Sequence, residues 1–282
     1  MSSTLDGDSA PSPWVVDLDT MVELRLAAAK RALGKGKFAH ALAEAEELLA
    51  DQPDESKALR IAASAALKMG DATLAALSYE QLHCRFPEDS EVLSGLSIAY
   101  FGLADLPRAE AHARSALANS PNNPQAWYCL ALVLERTQRQ GDATDCFREA
   151  HRLRPEEYPH PPALEVELLE DALRRAKLRL SPPARKFYAQ VPVDWAHFPD
   201  ASALRATSPP LSPFVEALYE GTPPMSVDPW SNLPSVVHIY RGNLAWGSVD
   251  PDSLAERIGT ALNREAHHWL GLPPALKAGV PA

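Results

Sequence analysis

The sequence predicts a mainly α-helical protein, in which an N-terminal helical solenoid is followed by a small α+β domain. Two observations predict the solenoid: prolines that recur every 34 residues, and small residues that recur in the same register. A fixed period of this length is typical of stacked helix–turn–helix units. A third observation, a change after the last of these prolines to short helical stretches and β-branched runs, predicts the α+β domain. The four prolines are Pro53, Pro87, Pro121 and Pro155.

Small residues occupy equivalent positions in each of the four units. They mark places where two helices cross closely, because helix separation depends on the side chains at the contact. Each helix pair also exposes an apolar face that only a neighbouring unit can cover, so we expect about eight stacked helices with a continuous core. The small residues are Ala29, Ala63, Ser97 and Ala131 in the first helices and Ala41, Ala75, Ala109 and Ala143 in the second helices.

The turn and the large residues complete the pattern. Gly36 and Gly70 stand at the turn of the first two units. A left-handed backbone at such a turn has a low energetic cost only for glycine. With the small residues, this pattern resembles the tetratricopeptide repeat over roughly residues 22–155. The large-residue positions of the fourth unit are filled by Trp127, Leu130 and Phe147.

The resemblance implies a concave face, lined by the first helices, that binds a protein or peptide. The first two units offer positive charge there, and the last two offer apolar and aromatic surface. A Lys/Asn clamp for a C-terminal carboxylate is not visible. The alternative for Phe101, Tyr128 and Leu132 is that they dock the C-terminal domain. The groove candidates are Lys30, Lys57, Arg60, Ile98, Phe101, Tyr128 and Leu132.

Composition limits the classes of function. The chain has 282 residues and a formal net charge of −10, which argues against a nucleic-acid groove because such a groove needs clustered Lys and Arg. No apolar run approaches the roughly 20 residues that span a bilayer. The first residues are polar and acidic, without the basic and apolar regions of a secretory signal peptide. We therefore expect neither nucleic acid nor membrane among the partners.

The cysteines indicate a reducing compartment. Their number is odd, and no two of them form a CxxC pair. All three fall in the predicted repeat helices, where a buried thiol behaves as a small hydrophobe. We therefore predict a cytoplasmic protein. The cysteines are Cys84, Cys129 and Cys146.

The proline-rich stretch EEYPHPPA marks the predicted domain boundary, because proline ends the helical pattern. The predicted divisions are a mobile acidic tail (1–20), four repeats (21–155), a linker (156–163), an α+β domain (164–274) and a C-terminal tail (275–282). Within the α+β domain the predicted elements are helices at 164–176 and 184–190, a strand at 191–195, a loop at 199–213, a helical turn at 213–219, a strand at 235–240 and a last helix at 253–270.

The last helix nearly carries a metal-binding motif. A zinc hydrolase of the HExxH type needs two histidines one turn apart, and a glutamate that acts as general base on the metal-bound water. Glu265 stands at the glutamate position and His268 at the second histidine position, and Gly271 follows at the HExxHxxG spacing. The first histidine position is occupied by Arg264.

The order of elements, with the stretches LYEGTP and LPSVVHIYRG, resembles the small zincin-like metallopeptidase domain of bacteria over roughly residues 164–272. The motif of that family is HExxHxxGxxD. The resemblance implies a zinc cofactor, with Glu265 as the general base and His268 as a metal ligand. The position of the final aspartate is occupied by Pro274.

Too few ligands remain for a catalytic zinc ion, which requires three protein ligands and an open coordination position. An arginine guanidinium cannot ligate a metal, and His267 lies about 100° round the helix from His268. We therefore predict a pseudo-site of Arg264, Glu265, His268 and Gly271 that holds no zinc. In one hypothesis Arg264 pairs with a nearby carboxylate such as Glu220. In the other, it points to solvent.

Three functions are compatible with this sequence. The first is a protein-interaction scaffold fused to a catalytically inactive zincin-like domain. The second is an active zinc-dependent metallopeptidase that completes its metal site with ligands outside the motif and recruits protein substrates through the repeats. The third is a structural part of a larger assembly, in which the two domains form a rigid unit. The missing ligands favour the first and the third.

Overall fold

The computed structural model describes residues 18–159, 162, 164–221, 228–247 and 249–273. Its N-terminal part is a stack of four helix pairs, which confirms the predicted solenoid. None of the helices in the described ranges is long and apolar enough to cross a membrane. The eight helices are α1 (Leu18–Gly34), α2 (Phe38–Asp51), α3 (Ser56–Met69), α4 (Ala72–Arg85), α5 (Ser90–Gly102), α6 (Leu106–Asn119), α7 (Pro124–Arg136) and α8 (Gln140–Leu153).

The small residues lie at the helix crossings, as the repeat pattern predicts. All eight of them are essentially inaccessible to solvent. Ser97 is the one polar member, and its hydroxyl donates to the carbonyl of Ala109 at 2.8 Å. Consecutive first helices also contact each other (α1 with α3, α3 with α5, and α5 with α7). The first helices therefore form a continuous inner layer of the stack.

The turn between the two helices of each unit is left-handed in all four units. Glycine occupies this position in the first two units, with φ values of +72° at Gly36 and +80° at Gly70. The later units place Ala104 (φ 56°) and Gln138 (φ 62°) in the same conformation. A left-handed backbone costs an ordinary L-residue roughly 1–2 kcal/mol. The stacking of the units therefore imposes a turn that the last two sequences do not favour locally.

We expect Gln138→Gly to stabilise the protein by about 0.5–1 kcal/mol. Glycine relieves the left-handed strain, and part of that gain is offset by its greater freedom in the unfolded chain. Urea denaturation followed by circular dichroism measures the change. The matched control is Arg148→Gly, at an exposed position in the interior of α8, which we expect to destabilise the protein by about 1 kcal/mol. Destabilisation by both substitutions would contradict the account of the turn.

The C-terminal part is a small α+β domain, again as predicted. Its three strands form one sheet in the order β1-β3-β2, in which β1 is parallel and β2 antiparallel to β3. The elements are α9 (Val166–Leu178), α10 (Pro182–Tyr188), β1 (Val193–Ala196), α11 (Ala201–Leu204), β2 (Ala217–Tyr219), a 3-10 turn (Pro229–Ser231), β3 (Val237–Tyr240), α12 (Arg241–Leu244) and α13 (Pro251–Trp269).

Two local predictions in this domain are wrong. The sequence predicts a helical turn at 213–219, but the second half of this segment is strand β2, because Ala217–Tyr219 pairs with β3 from far along the chain. A short apolar segment does not distinguish strand from helix by its own pattern. The predicted loop at 199–213 contains α11, whose first turn is capped by the Asp200 side chain.

Helix α13 is the central element of the C-terminal core. Its apolar residues Leu254, Ile258 and Leu262 are fully buried and recur every four residues, so they share one face. That face packs on α9, α10 and β2. Glu265 follows Leu262 by three residues and lies on the same face. The helix therefore carries a carboxylate into the edge of the domain core.

Candidate functional site

The predicted pseudo-site lies at the C-terminal end of α13. Glu265 is only 4% exposed, and burial is the main cause that raises the pKa of its carboxyl group. The carboxylate accepts a hydrogen bond from Arg264 Nε at 2.9 Å and is also bonded by the backbone N–H of Tyr219. Burial, together with the nearby charge of Glu265, raises the pKa values of Tyr219 and Tyr240 to about 12.

Arg264 does not pair with Glu220, so that part of the prediction is wrong. Its guanidinium binds the adjacent Glu265 and donates to the carbonyl of Ala217 at 3.2 Å. The Glu220 carboxylate instead accepts from the hydroxyl of Ser235 at 3.2 Å. Half of the Arg264 side chain (52%) stays exposed. The arginine thus combines the two predicted alternatives: it binds a carboxylate while its side chain remains largely in water.

The two histidines of α13 point to different partners. His268 Nδ1 lies 3.0 Å from the hydroxyl of Tyr219. His267 Nδ1 lies 2.7 Å from the carbonyl of Pro273, and its Nε2 lies 2.9 Å from the hydroxyl of Ser181. Because a carbonyl only accepts, Nδ1 of His267 carries the proton and Nε2 accepts from the serine. His267 therefore links the end of α13 to the N-terminus of α10 and is no substitute for a metal ligand.

The residues present do not fit the zinc ion that the resemblance implies. The guanidinium of Arg264 binds the carboxylate that would act as base, and His268 is the single ligand of the motif in the described ranges. Within those ranges, no group of three or more His, Cys, Asp or Glu side chains is placed to hold a metal. Pro274, at the position of the final aspartate, lies outside the described residues.

The predicted cationic groove residues line an open cavity of about 480 Å³ on the first two units. Lys57 in this cavity pairs with Glu23 at 2.6 Å. Arg60 pairs with Asp89 at 2.6 Å and lies over the ring of Phe86. The positive charge is therefore partly neutralised within the repeats. The cavity is lined by Glu23, Leu26, Ala27, Lys30, Leu33, Lys57, Arg60, Ile61 and Ser64.

The predicted apolar groove residues line a second, smaller cavity of about 180 Å³. Phe101 and Leu132 are nearly fully buried, whereas Ile98 and Tyr128 are half-buried. Two residues of the C-terminal domain, Ser212 and Phe214, form part of the wall. The four predicted residues thus face the other domain, as the alternative for Phe101, Tyr128 and Leu132 anticipated.

Family models match both parts of the chain. Tetratricopeptide repeat models match residues 26–90 and 66–133. A zincin-like metallopeptidase model matches residues 188–276. The chain joins tetratricopeptide repeats to a zincin-like metallopeptidase domain. Both resemblances in the sequence are thereby confirmed. No curated protein matches the chain.

Solved structures are similar to the repeat part of the chain. One is MamA from residue 41 onward, from Desulfovibrio magneticus RS-1, at 18% identity and a TM-score of 0.44, with 48% of this chain and 77% of that chain covered. Another is a thermophilic tetratricopeptide repeat protein of Thermus thermophilus, at 21% identity and a TM-score of 0.44, with 48% of this chain and 75% of that chain covered. These similarities concern the helical fold alone.

The zincin-like domain is anchored to the repeats by Arg136, the last residue of α7. The Arg136 side chain is 2% exposed and pairs with Glu135 at 2.9 Å. Its Nη2 donates to Oδ1 of Asn243 in the zincin-like domain at 2.8 Å. Burial lowers the pKa of Arg136 to about 10, so the guanidinium remains charged at neutral pH. Three rings surround it at 4.2–5.3 Å from centroid to Cζ: Phe101, Phe198 and Phe214.

Asn243 and Trp246 complete this interface from α12 and the turn after it. The amide of Asn243 donates to the carbonyls of Pro213 and Val215 at 2.8 and 2.6 Å, which fixes the segment that carries Phe214. Trp246 packs its ring against Tyr128 and Phe147 of the repeats, at centroid distances of 5.8 and 5.4 Å. The chain's own second domain thereby covers the concave side of the last two units, apart from the small cavity beside Phe214.

The roles of Arg136, Asn243 and Trp246 were not predicted from the sequence. One available signal was a charge pair, Glu135–Arg136, directly after the apolar run of α7, since a charged residue on a core-facing stripe usually has a specific partner. Nothing local in the sequence shows which partner that is. Arg136 and Asn243 are 107 positions apart in the sequence and are brought together only by the docking of the two domains.

We expect Glu265→Gln to gain stability relative to the wild type as the pH rises. The folded pKa of Glu265 is raised above its unfolded value, so the folded state holds the proton more tightly. This tighter proton binding stabilises the folded state fully below about pH 4.3. The stabilisation is lost as the pH rises through the folded pKa, and it amounts to roughly 1.4 kcal/mol per unit of pKa shift. Glutamine has no such loss. Urea denaturation at pH 4.5, 6.0 and 7.5 measures the difference.

The matched control is Glu256→Gln, an exposed carboxylate on the same helix, for which we expect a pH profile parallel to that of the wild type. A parallel profile for Glu265→Gln as well would contradict a raised folded-state pKa of the buried Glu265 carboxyl group.

Proposed function

We propose that this protein is a non-catalytic interaction protein, in which the repeats hold a protein or peptide ligand and the zincin-like domain forms a fixed wall beside it. One observation carries the proposal. The zincin-like domain places Phe214 and Trp246 against the concave side of the last two units, while the cavity of the first two units remains open. The ligand therefore binds along the groove from the open cavity of the first two units up to the small cavity beside Phe214.

The Arg264–Glu265 pair supports a domain without peptidase activity. A general base must be free to take a proton from a metal-bound water. In this chain the corresponding carboxylate is buried and bound by the guanidinium that stands in place of the first metal ligand. In this proposal the metallopeptidase fold is kept for its shape and for its contacts with Arg136.

The alternative is a zinc-dependent peptidase that recruits substrates through the repeats, and the match to the zincin-like metallopeptidase model favours it. It requires ligands outside the motif, and the described residues do not supply them. In our proposal the ligand is a protein or peptide rather than nucleic acid or membrane. We place the protein in the cytoplasm, since its three cysteines lack paired spacing.

A peptide selection tests the interaction function. A phage-displayed random peptide library is selected on the full-length protein, and the enriched peptides are measured by fluorescence anisotropy. Binding to the wild type is compared with binding to a variant that carries Lys30→Glu and Lys57→Glu. The matched control is Lys68→Glu, a lysine on the same helix as Lys57 that does not line the cavity.

We expect enriched peptides to bind one per chain, and to lose at least tenfold in affinity with the double charge reversal but not with Lys68→Glu. A selection that enriches no peptide would contradict the proposal, and so would peptides that bind all three proteins equally. Thermal melting of each variant confirms that a loss of binding is not a loss of folding.

A further inference from the structure

We infer that the groove takes an extended peptide with acidic residues at one end and a single large apolar side chain at the other, four to five residues away. The inference rests on the proposed function and adds the chemistry of the ligand. The apolar side chain enters a composite pocket built by both domains, which we define by Leu67, Ile98, Phe101, Leu132, Ser212 and Phe214.

The composite pocket has the size and chemistry for one apolar side chain. Its volume of about 180 Å³ is close to that of a cavity that accepts a benzene ring, roughly 150 Å³. Apart from Ser212, the six defining residues are apolar. The rings of Phe101 and Phe214 lie 5.4 Å apart and form adjacent walls. Neither domain alone would provide this pocket, because its walls come from α3, α4, α5 and α7 of the repeats and from the zincin-like domain.

Charge favours an acidic segment at the other end of the groove. The open cavity is lined by three cations (Lys30, Lys57 and Arg60) and one carboxylate (Glu23). Its formal net charge is therefore +2, although the net charge of the whole chain is −10. Arg60 and Lys57 already have acidic partners. In the part of the chain that the structure describes, Lys30 lines the cavity without an ion pair of its own. An acidic side chain would thus meet Lys30 directly and compete for Lys57.

The separation between the acidic and the apolar residues of the peptide follows from helix α3, which borders both cavities. Lys57, Arg60 and Ser64 line the open cavity, and Leu67 lines the composite pocket. These four residues lie within about 80° around the helix, so they share one face. Leu67 follows Lys57 by ten positions, which is about 15 Å along the helix at a rise of roughly 1.5 Å per residue. An extended peptide covers that distance in four to five residues at about 3.3 Å each.

The test uses fluorescein-labelled peptides with two adjacent aspartates and one phenylalanine in a Gly/Ser background, with the separation varied from one to eight residues and both chain directions included. Anisotropy titrations use the full-length wild type, Ser212→Trp, and Lys30→Glu with Lys57→Glu. Ser212→Trp fills the pocket from the zincin-like side. The matched control is Ser115→Trp, at an exposed serine of α6 that borders neither cavity.

We expect the tightest binding at a separation of four to five residues. Replacing the phenylalanine of the peptide by alanine, or introducing Ser212→Trp, should each weaken binding about tenfold or more, and Ser115→Trp should leave it unchanged. Affinity should also fall as salt is raised from 50 to 300 mM. Peptides that bind without a preferred separation, or that ignore Ser212→Trp, would overturn the composite pocket and leave the interaction function standing. If neither these peptides nor any peptide from the library binds, both proposals fail.

Discussion

Arg136→Ala should cost about 3–5 kcal/mol of unfolding free energy and release the zincin-like domain from the repeats. Removing one partner of a buried ion pair is expensive, because the remaining charge is left buried without compensation. Here the remaining charge is Glu135, whose side chain is 13% exposed and whose pKa burial already raises. Asn243 would also lose the donor that links it to the repeats.

Urea denaturation measures the free energy, and limited proteolysis of the segment 199–215 reports the release of the domain. The matched control is Arg139→Ala, three residues further along. That side chain is 42% exposed and pairs with Glu110 and Asp142 at the surface, so we expect a loss below about 1 kcal/mol.

A double variant, Arg136→Met with Glu135→Gln, isolates the charge contribution. An apolar side chain of similar length keeps the contact with the three rings, and the uncharged Gln removes the stranded charge. We expect this variant to recover most of the stability that Arg136→Ala loses. A double variant as unstable as Arg136→Ala would contradict the explanation from the buried charge.

Trp246→Ala should cost about 2–3 kcal/mol, below the roughly 3–5 kcal/mol for an aromatic side chain removed from a core, because Trp246 is only partly buried. The ring packs against both Tyr128 and Phe147 and so joins the zincin-like domain to two helices of the last repeat. Differential scanning calorimetry measures the effect, and an early separate transition for the zincin-like domain would report its undocking.

Trp246→Phe is the matched control for this prediction. The buried Nε1 of Trp246 has no hydrogen-bond partner among the described residues, so phenylalanine keeps an aromatic ring in the interface and removes an unpaired donor. We expect a loss below about 1.5 kcal/mol. Equal losses for Trp246→Ala and Trp246→Phe would contradict a role that depends on ring packing.

The repeats were predictable from the sequence because their structure is local and periodic. Within the stack, each unit packs only on its neighbours, so a position at a helix crossing has the same surroundings every 34 residues, as the buried Ala29 and Ala63 illustrate. The period also indicated where each turn lies. It did not indicate that Ala104 and Gln138 adopt a left-handed backbone, because neither residue favours one.

The candidate sites were predictable in part. The spacing in α13 identified Arg264, Glu265 and His268, and a helical period places Glu265 on the core face. It did not identify the partner of Arg264. The prediction of Glu220 failed because the guanidinium binds the carboxylate of the adjacent residue instead. Strand β2 was missed for a related reason, since its pairing with β3 comes from distant parts of the chain.

The interface between the domains could not be derived from the sequence. Periodicity identifies which face of a helix is buried, but it does not identify what covers that face. The apolar groove residues, such as Phe101 and Leu132, have the same pattern whether a partner protein or the chain's own second domain lies against them. Only the folded structure shows that the second domain lies there, because Phe214 and Trp246 pack against these repeats.

The zinc content of the purified, untagged full-length protein shows whether the zincin-like domain holds a metal ion. Elemental mass spectrometry gives the ratio of zinc to chain before and after dialysis against a chelator. We expect a ratio near zero in both samples, because Arg264 replaces a ligand and binds the carboxylate of Glu265. A ratio near one that survives gel filtration would contradict this expectation, since ligands outside the motif would then complete a metal site and the zincin-like domain would have to be assayed as a peptidase.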